Sequence, residues 1–159
     1  MVVVKGESMF RGHSQRSIDP KGRLMLPPDF REVIMEQAPG GELMITNFDD
    51  CVVAYPLPEW EEIEQSFNRL NMANRKFRDF HRFFISGATQ TTLDKQGRIL
   101  VPPYLRTYAE ITKEVVLAGV GRKFEIWDLT RFEAQRKKME QDFDGIMDSL
   151  AENGFELRF

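Results

Sequence analysis

The chain has 159 residues, 42% hydrophobic and 30% charged, with a formal net charge of −3. That balance fits a folded domain rather than a disordered one, and no stretch nears the roughly 20 consecutive apolar residues that a bilayer crossing needs. A single cysteine, Cys51, excludes a disulfide framework within one chain, and the two histidines, His13 and His81, lack metal-ligand spacing, so neither a cofactor nor a metal is expected.

In chain order, the opening MVVVKGES is too short for a secretory leader and has no small-residue cleavage site, so a cytoplasmic protein is expected. Next comes SIDPKGRLMLPPDFR, residues 17–31, and its pattern returns in TLDKQGRILVPPYLR, residues 92–106. Asp19 answers to Asp94, Gly22 to Gly97, Arg23 to Arg98, the pair Pro27 and Pro28 to Pro102 and Pro103, and Arg31 to Arg106, at one constant offset. Gly12 and Gln15 match Gly87 and Gln90 in the same register. After a three-residue shortening, Tyr55 meets Trp127 and Trp60 meets Phe132. An ungapped match of this length is an internal duplication.

Within each unit the local signals agree. PKG and KQG carry turn chemistry, the glycine taking the positive φ that a side chain resists. RLML and RILV resume an extended apolar run. Pro27 and Pro102 end it, having no N–H for a ladder, and Pro28 and Pro103 suit the first turn of a short helix. Phe30, Val33 and Ile34 supply that helix's apolar face in the first unit; Leu105 and Tyr108 do so more sparsely in the second. Two strands follow in each unit, at 42–46 and 51–55, then at 114–118 and 123–127, the second pair joined by the turn GVGR.

Between the units, Trp60, Ile63, Phe67 and Leu70 form one helical stripe, and Phe77, Phe80, Phe83 and Phe84 another, which predicts a helical hairpin. Beyond the second unit, TRFE at 130–133 reads as a capping box, and Phe132, Met139, Phe143, Ile146 and Leu150 predict a single further helix with a fraying tail. The expected organisation is an N-terminal extension (1–12), repeat 1 (13–59), helical linker (60–87), repeat 2 (88–131), and C-terminal helix and tail (132–159).

Charge is unevenly distributed. Between residues 5 and 31, Lys5, Arg11, Arg16, Lys21, Arg23 and Arg31 face only Glu7, Asp19 and Asp29, whereas residues 140–156 are strongly acidic. A cationic face on an acidic molecule is therefore allowed.

The repeated Asp-x-x-Gly-Arg motif has three readings. Asp19 and Asp94 with their glycines can be turn-formers that accept backbone hydrogen bonds. They could instead be a carboxylate dyad sharing a proton across a pseudo-twofold axis, but the neighbouring Lys21 and Lys95 would hold both as anions, which opposes that chemistry and argues against an enzyme. The third reading concerns the basic residues. Arginine is the natural bidentate donor to guanine O6 and N7, lysine holds phosphates, and two-stranded ribbons enter the major groove. Lys21, Arg23, Lys95 and Arg98 are the candidate DNA-binding residues. One small cationic turn binds weakly, and repetition makes each further contact effectively intramolecular.

MFRG at 9–12, DPKGRLMLP with FRE, and YPLPEWE at 55–61, followed by DKQGRILVPPYLR, ITKEVVLAGV and KFEIWD, resemble the MraZ family of bacterial transcriptional regulators. The resemblance covers about residues 9–131. It implies a β-rich α+β fold in which two swapped-hairpin units of the SpoVT/AbrB type interleave as an intramolecular pseudo-dimer forming a small β-barrel. It also implies a repressor of the division and cell-wall gene cluster, its own gene included, that binds double-stranded DNA at G-rich direct promoter repeats. The family's DNA-contacting loops fall on Lys21 and Arg23 and on Lys95 and Arg98. Ring homo-oligomers and a nucleoid-associated location in the cytoplasm follow from the same resemblance; from the sequence itself, neither membrane attachment nor a small-molecule effector is expected. The runner-up keeps the fold as a ring-shaped interaction scaffold, or an antitoxin-like partner of another protein. MVVVKGES precedes the residue at which the family pattern starts, and no role is assigned to it.

Overall fold

The computed structural model describes residues 8–158. The expected extension at 1–12 therefore lies, up to residue 7, outside the described residues. The chain divides into two compact units, one ending at Leu129 and the other starting at Thr130.

The first unit contains both repeats. Repeat 1 runs β1 (His13–Ser17), β2 (Arg23–Met25), α1 (Pro28–Gln37), β3 (Glu42–Phe48) and β4 (Cys51–Pro56). Two helices, α2 (Leu57–Ser66) and α3 (Arg75–Ser86), follow with a short 3-10 turn (Phe67–Arg69) after α2. Repeat 2 then gives β5 (Thr89–Thr92), β6 (Arg98–Leu100), α4 (Pro103–Tyr108), β7 (Glu114–Gly119) and β8 (Phe124–Asp128). The prolines act as their chemistry requires: Pro27 and Pro102 are the residues before α1 and α4, and Pro28 and Pro103 open those helices.

All strand pairs are antiparallel, and the order β1-β7-β8-β4-β3-β5 shows how the halves interleave. The opening strand of repeat 1 pairs with repeat 2, His13 opposite Ala118. The opening strand of repeat 2 pairs with repeat 1, Thr91 opposite Leu43. The central ladder joins β4 to β8, Val53 opposite Glu125, and those two residues occupy equivalent repeat positions. A separate ribbon joins β2 to β6, with Leu24 opposite Ile99, again equivalent positions. A pseudo-twofold axis therefore passes through both pairs, and the expected intramolecular pseudo-dimer is present. The strand pairing does not show the expected barrel closed. The six strands form an open sheet with β1 and β5 at its ends, and the β2–β6 ribbon stands as its own two-stranded sheet.

The β3–β4 hairpin turns on Asp49 and Asp50, both at positive φ (52° and 69°), as a two-residue primed turn demands. The Tyr108 hydroxyl accepts a hydrogen bond from the Asp50 N–H at 3.0 Å, so repeat 2 holds repeat 1's hairpin tip. Beneath the ribbon, Leu24, Leu26, Ile99 and Val101 join Phe10, Phe30 and Phe124 in one buried core, the three rings meeting at 5.1–5.3 Å.

A second aromatic cluster docks the helices. Trp60 stacks on Phe84 at 5.4 Å, and Phe84 on Phe80 at 5.6 Å. Thr46 Oγ1 donates to the Phe84 carbonyl (2.6 Å), Asn47 Nδ2 to that of Phe83 (3.0 Å), and the Tyr104 hydroxyl to that of Gly87 (2.8 Å). The Thr46 bond satisfies a carbonyl that the end of α3 leaves open, while the Phe83 carbonyl also accepts from the Gly87 N–H. Phe84 is buried, but Phe77, Phe80 and Phe83 remain 43%, 40% and 40% exposed, so only part of the predicted stripe reaches the core.

In the second unit, the single expected helix is two: α5 (Leu129–Gln141), which begins in the last residue of the first unit, and α6 (Phe143–Glu152). Their junction is Asp142, whose N–H donates to the carbonyls of Lys138 and Met139 while its own carbonyl accepts from Ile146. The capping box also shifts, since α5 already includes Leu129 and Thr130 lies inside it.

Candidate nucleic-acid interface

Each repeat places one tight turn ahead of the ribbon. In the first, Asp19 donates its N–H to the Arg23 carbonyl (3.1 Å) and accepts at its own carbonyl from Gly22 (2.9 Å). Asp19 Oδ1 accepts from the N–H of Lys21 (3.0 Å) and of Arg23 (2.8 Å). Gly22 closes the turn at φ +87°, a conformation that only glycine adopts freely. The second turn repeats this: Asp94 Oδ1 accepts from Gln96 and Arg98, both at 2.9 Å, and Gly97 sits at φ +81°. The aspartates and glycines are turn-formers, as the simplest reading of the sequence holds.

The aspartates also orient the arginines. Arg23 Nε donates to Asp19 Oδ2 at 2.6 Å, and Arg98 Nε to Asp94 Oδ2 at 2.9 Å. Using Nε leaves the Nη edge of each guanidinium without a further hydrogen bond among the described residues. The backbone N–H of each arginine, and then its side chain, hold the pKa of Asp19 and of Asp94 below the ordinary carboxylate value. Both carboxylates are stabilised as anions by separate arginines, so they are not arranged as a proton-sharing pair.

Ribbon register brings the two arginines together. Arg23 pairs with Leu100 and Met25 with Arg98, flanking the Leu24–Ile99 pair. Directly opposed residues share a face and alternate residues return to it. Leu24 and Ile99 are buried, so Arg23, Met25, Arg98 and Leu100 occupy the outer face. Diagonal positions on such a ribbon stand roughly 7–8 Å apart. The side chains of Arg23 and Arg98 are 42% and 29% exposed, and Lys21 and Lys95 are exposed on the turns beside them. All four candidate residues thus lie on the ribbon or on its turns.

Sequence reasoning left four neighbours without a role. Met25 and Leu100 complete the outer face, which their alternation with buried Leu24 and Ile99 could have shown. Arg31 and Arg106 pack against the turns, and the only signal for them was their shared register in the duplication.

The comparison with known proteins agrees with this duplication. A family model described as "MraZ protein, putative antitoxin-like" matches twice, over residues 9–83 and 84–152. The chain belongs to the MraZ family. It is 59% identical to the transcriptional regulator MraZ of Solidesulfovibrio magneticus, covering 95% of this chain and 100% of that protein. The similarly named proteins of Nitratidesulfovibrio vulgaris (strain Miyazaki F) and Nitrosospira multiformis are 52% and 40% identical, each covering 94% of this chain, and 98% and 100% of their own lengths. Membership in this family makes the chain a transcription regulator rather than an enzyme. Among the described residues, no helix is long and apolar enough to cross a membrane.

Proposed function

We propose that the protein is a sequence-specific DNA-binding repressor that contacts G-rich direct repeats upstream of its own gene, at the head of the division and cell-wall gene cluster. The observation that carries this reading is the placement of Arg23 and Arg98 on one outer face of the β2–β6 ribbon, each guanidinium held at Nε by its own aspartate. Two forked donors side by side on a narrow ribbon match adjacent guanines in the major groove. Lys21 and Lys95, on the turns, serve the phosphates. The naming of relatives as transcriptional regulators supports the same reading.

One chain offers only two such arginines, so tight binding calls for several copies. The half-exposed Phe77, Phe80 and Phe83 on α3 supply an apolar surface for a neighbouring subunit, and head-to-tail contact that closes gives a ring. The working location is the nucleoid. Repeat boundaries at 13–59 and 88–131 frame the two DNA-facing halves.

Footprinting on DNA from upstream of the gene tests the function: protected, regularly spaced G-rich repeats are expected, and an unprotected fragment overturns it. Native mass measurement tests assembly, and a species of only 18.6 kDa at micromolar concentration would exclude the ring. The family description names an antitoxin-like class; failure to shift promoter DNA, with capture of a partner protein, would favour that second reading.

A further inference from the structure

We propose that Arg31 and Arg106 are crossed positioning residues, each standing on the helix of one repeat and holding the cationic turn of the other. Arg31 belongs to α1 and lies against Gly97 of the second turn: a Cβ added at Gly97 would stand 2.5 Å from Nη1, 2.6 Å from Cδ and 3.0 Å from Cζ of Arg31. Arg106 belongs to α4 and lies against Gly22 of the first turn, where a Cβ would stand 3.2 Å from Nε and 3.3 Å from Nη2. The two arginines occupy equivalent positions in the duplication, so the pseudo-twofold axis generates one latch from the other.

Backbone bonds run along the same crossed route. The Gly22 carbonyl accepts from the N–H of Val101 at 2.8 Å, and the Gly97 carbonyl from that of Leu26 at 3.0 Å. Arg106 Nε donates to the carbonyl of that same Val101 at 3.0 Å, so α4, the end of β6 and the first turn form one continuous chain of contacts. Arg31 Nε is shielded from solvent and, among the described residues, has no hydrogen-bond partner. Its latch rests on the guanidinium group and Cδ packed against the glycine, and of the two it is the looser.

The consequence concerns the residue next along the chain. Gly97 precedes Arg98 and Gly22 precedes Arg23, and a bidentate contact to guanine tolerates little displacement of the fork. Arg31 therefore acts through Arg98, and Arg106 through Arg23. Neither repeat presents its arginine correctly without the helix of the other. A planar guanidinium packed on a glycine is not replaced by a lysine ammonium, so shape rather than charge is the operative property. This inference rests on the DNA-binding reading for its functional meaning, but the latch itself is a property of the free protein.

The test uses the full chain carrying R31Q, R31K, R106Q or R106K. Amide hydrogen exchange on the free protein should show the R31 variants accelerating residues 94–98 with residues 19–23 unchanged, and the R106 variants the reverse. On promoter DNA, R31Q should weaken binding about tenfold in the parent and in an R23A background, and less than twofold in R98A; R106Q should show the mirror pattern. The lysine variants should share these effects, and they stand in if a glutamine variant fails to fold. Loosening of a residue's own turn, equal loosening of both turns, equal losses in both arginine backgrounds, or full rescue by lysine would overturn the proposal. Should the parent protein bind no promoter DNA while the crossed exchange pattern holds, the latch stands and the DNA-binding reading falls.

Discussion

Leu24 pairs across the ribbon with Ile99, its own counterpart in the second repeat. A residue facing its own equivalent marks a twofold axis, and the axis here runs through the strand pair whose outer face carries Arg23 and Arg98. Duplication thereby turns one weak cationic hairpin into a paired surface at a fixed separation, with the buried Leu24–Ile99 contact as its foundation.

Replacing either ribbon arginine should cost DNA affinity in a base-dependent way. Arg23→Ala or Arg98→Ala is expected to lose about 1–3 kcal/mol per direct base contact. Lys21→Ala or Lys95→Ala should instead reduce the salt dependence of binding without relaxing sequence preference. Fluorescence anisotropy on matched and mismatched promoter fragments over a salt series separates the two. Unchanged binding by the double arginine variant would contradict the assigned face.

Acid should loosen the turns. The pKa values of Asp19 and Asp94 are lowered in the folded chain, chiefly by the backbone N–H of Arg23 and of Arg98. A depressed folded pKa contributes stability that is present above the unfolded carboxylate value and lost as pH falls through the folded one. Turn order should therefore be complete at neutral pH and decline below the ordinary carboxylate range. Carboxyl carbon NMR titration gives the two pKa values directly, and D19N with D94N should flatten the acid response of the turn amides.

Alanine at the two turn glycines should have unequal effects. Both positions have positive φ, and strain of this kind is worth on the order of 1–3 kcal/mol. At Gly22 the new Cβ would also collide with the Val101 carbonyl, which is backbone, whereas at Gly97 it meets the side chain of Arg31, which can move. Gly22→Ala is expected to be the more destabilising in urea denaturation.

Cys51 should be inert in the native protein. It is fully buried, burial pushes its thiol pKa upward, and the Glu125 charge adds to the shift. The thiolate is the reactive species. A chromogenic disulfide reagent at pH 8 is expected to label Cys51 only as the chain unfolds, and rapid labelling of folded protein would refute this.

Truncating the helix-docking cluster should be costly. Phe84 is 4% exposed and stacks between Trp60 and Phe80, so Phe84→Ala should lose about 3–5 kcal/mol. Thermal unfolding followed by tryptophan fluorescence reports it, because Trp60 is the ring's direct neighbour.

Much of this protein was decided locally and could be read from the chain. Proline after each short apolar run set the strand ends and helix starts, because a missing N–H and a fixed φ act within a few residues whatever surrounds them. The glycines at 22 and 97 and the aspartates three positions before them fixed the turns for the same reason. What required tertiary structure was every relationship across the duplication. Equal sequence repeats are compatible with separate side-by-side domains or with exchanged strands, and only the pairing of β1 with β7 and of β5 with β3 chose exchange. The open edges, the partial burial of the α3 stripe and the crossed packing of Arg31 and Arg106 on the opposite glycines depend on contacts between residues far apart in the chain. Periodicity reports which face of an element is apolar; the identity of the surface that covers it is settled only when the whole chain competes for the same core.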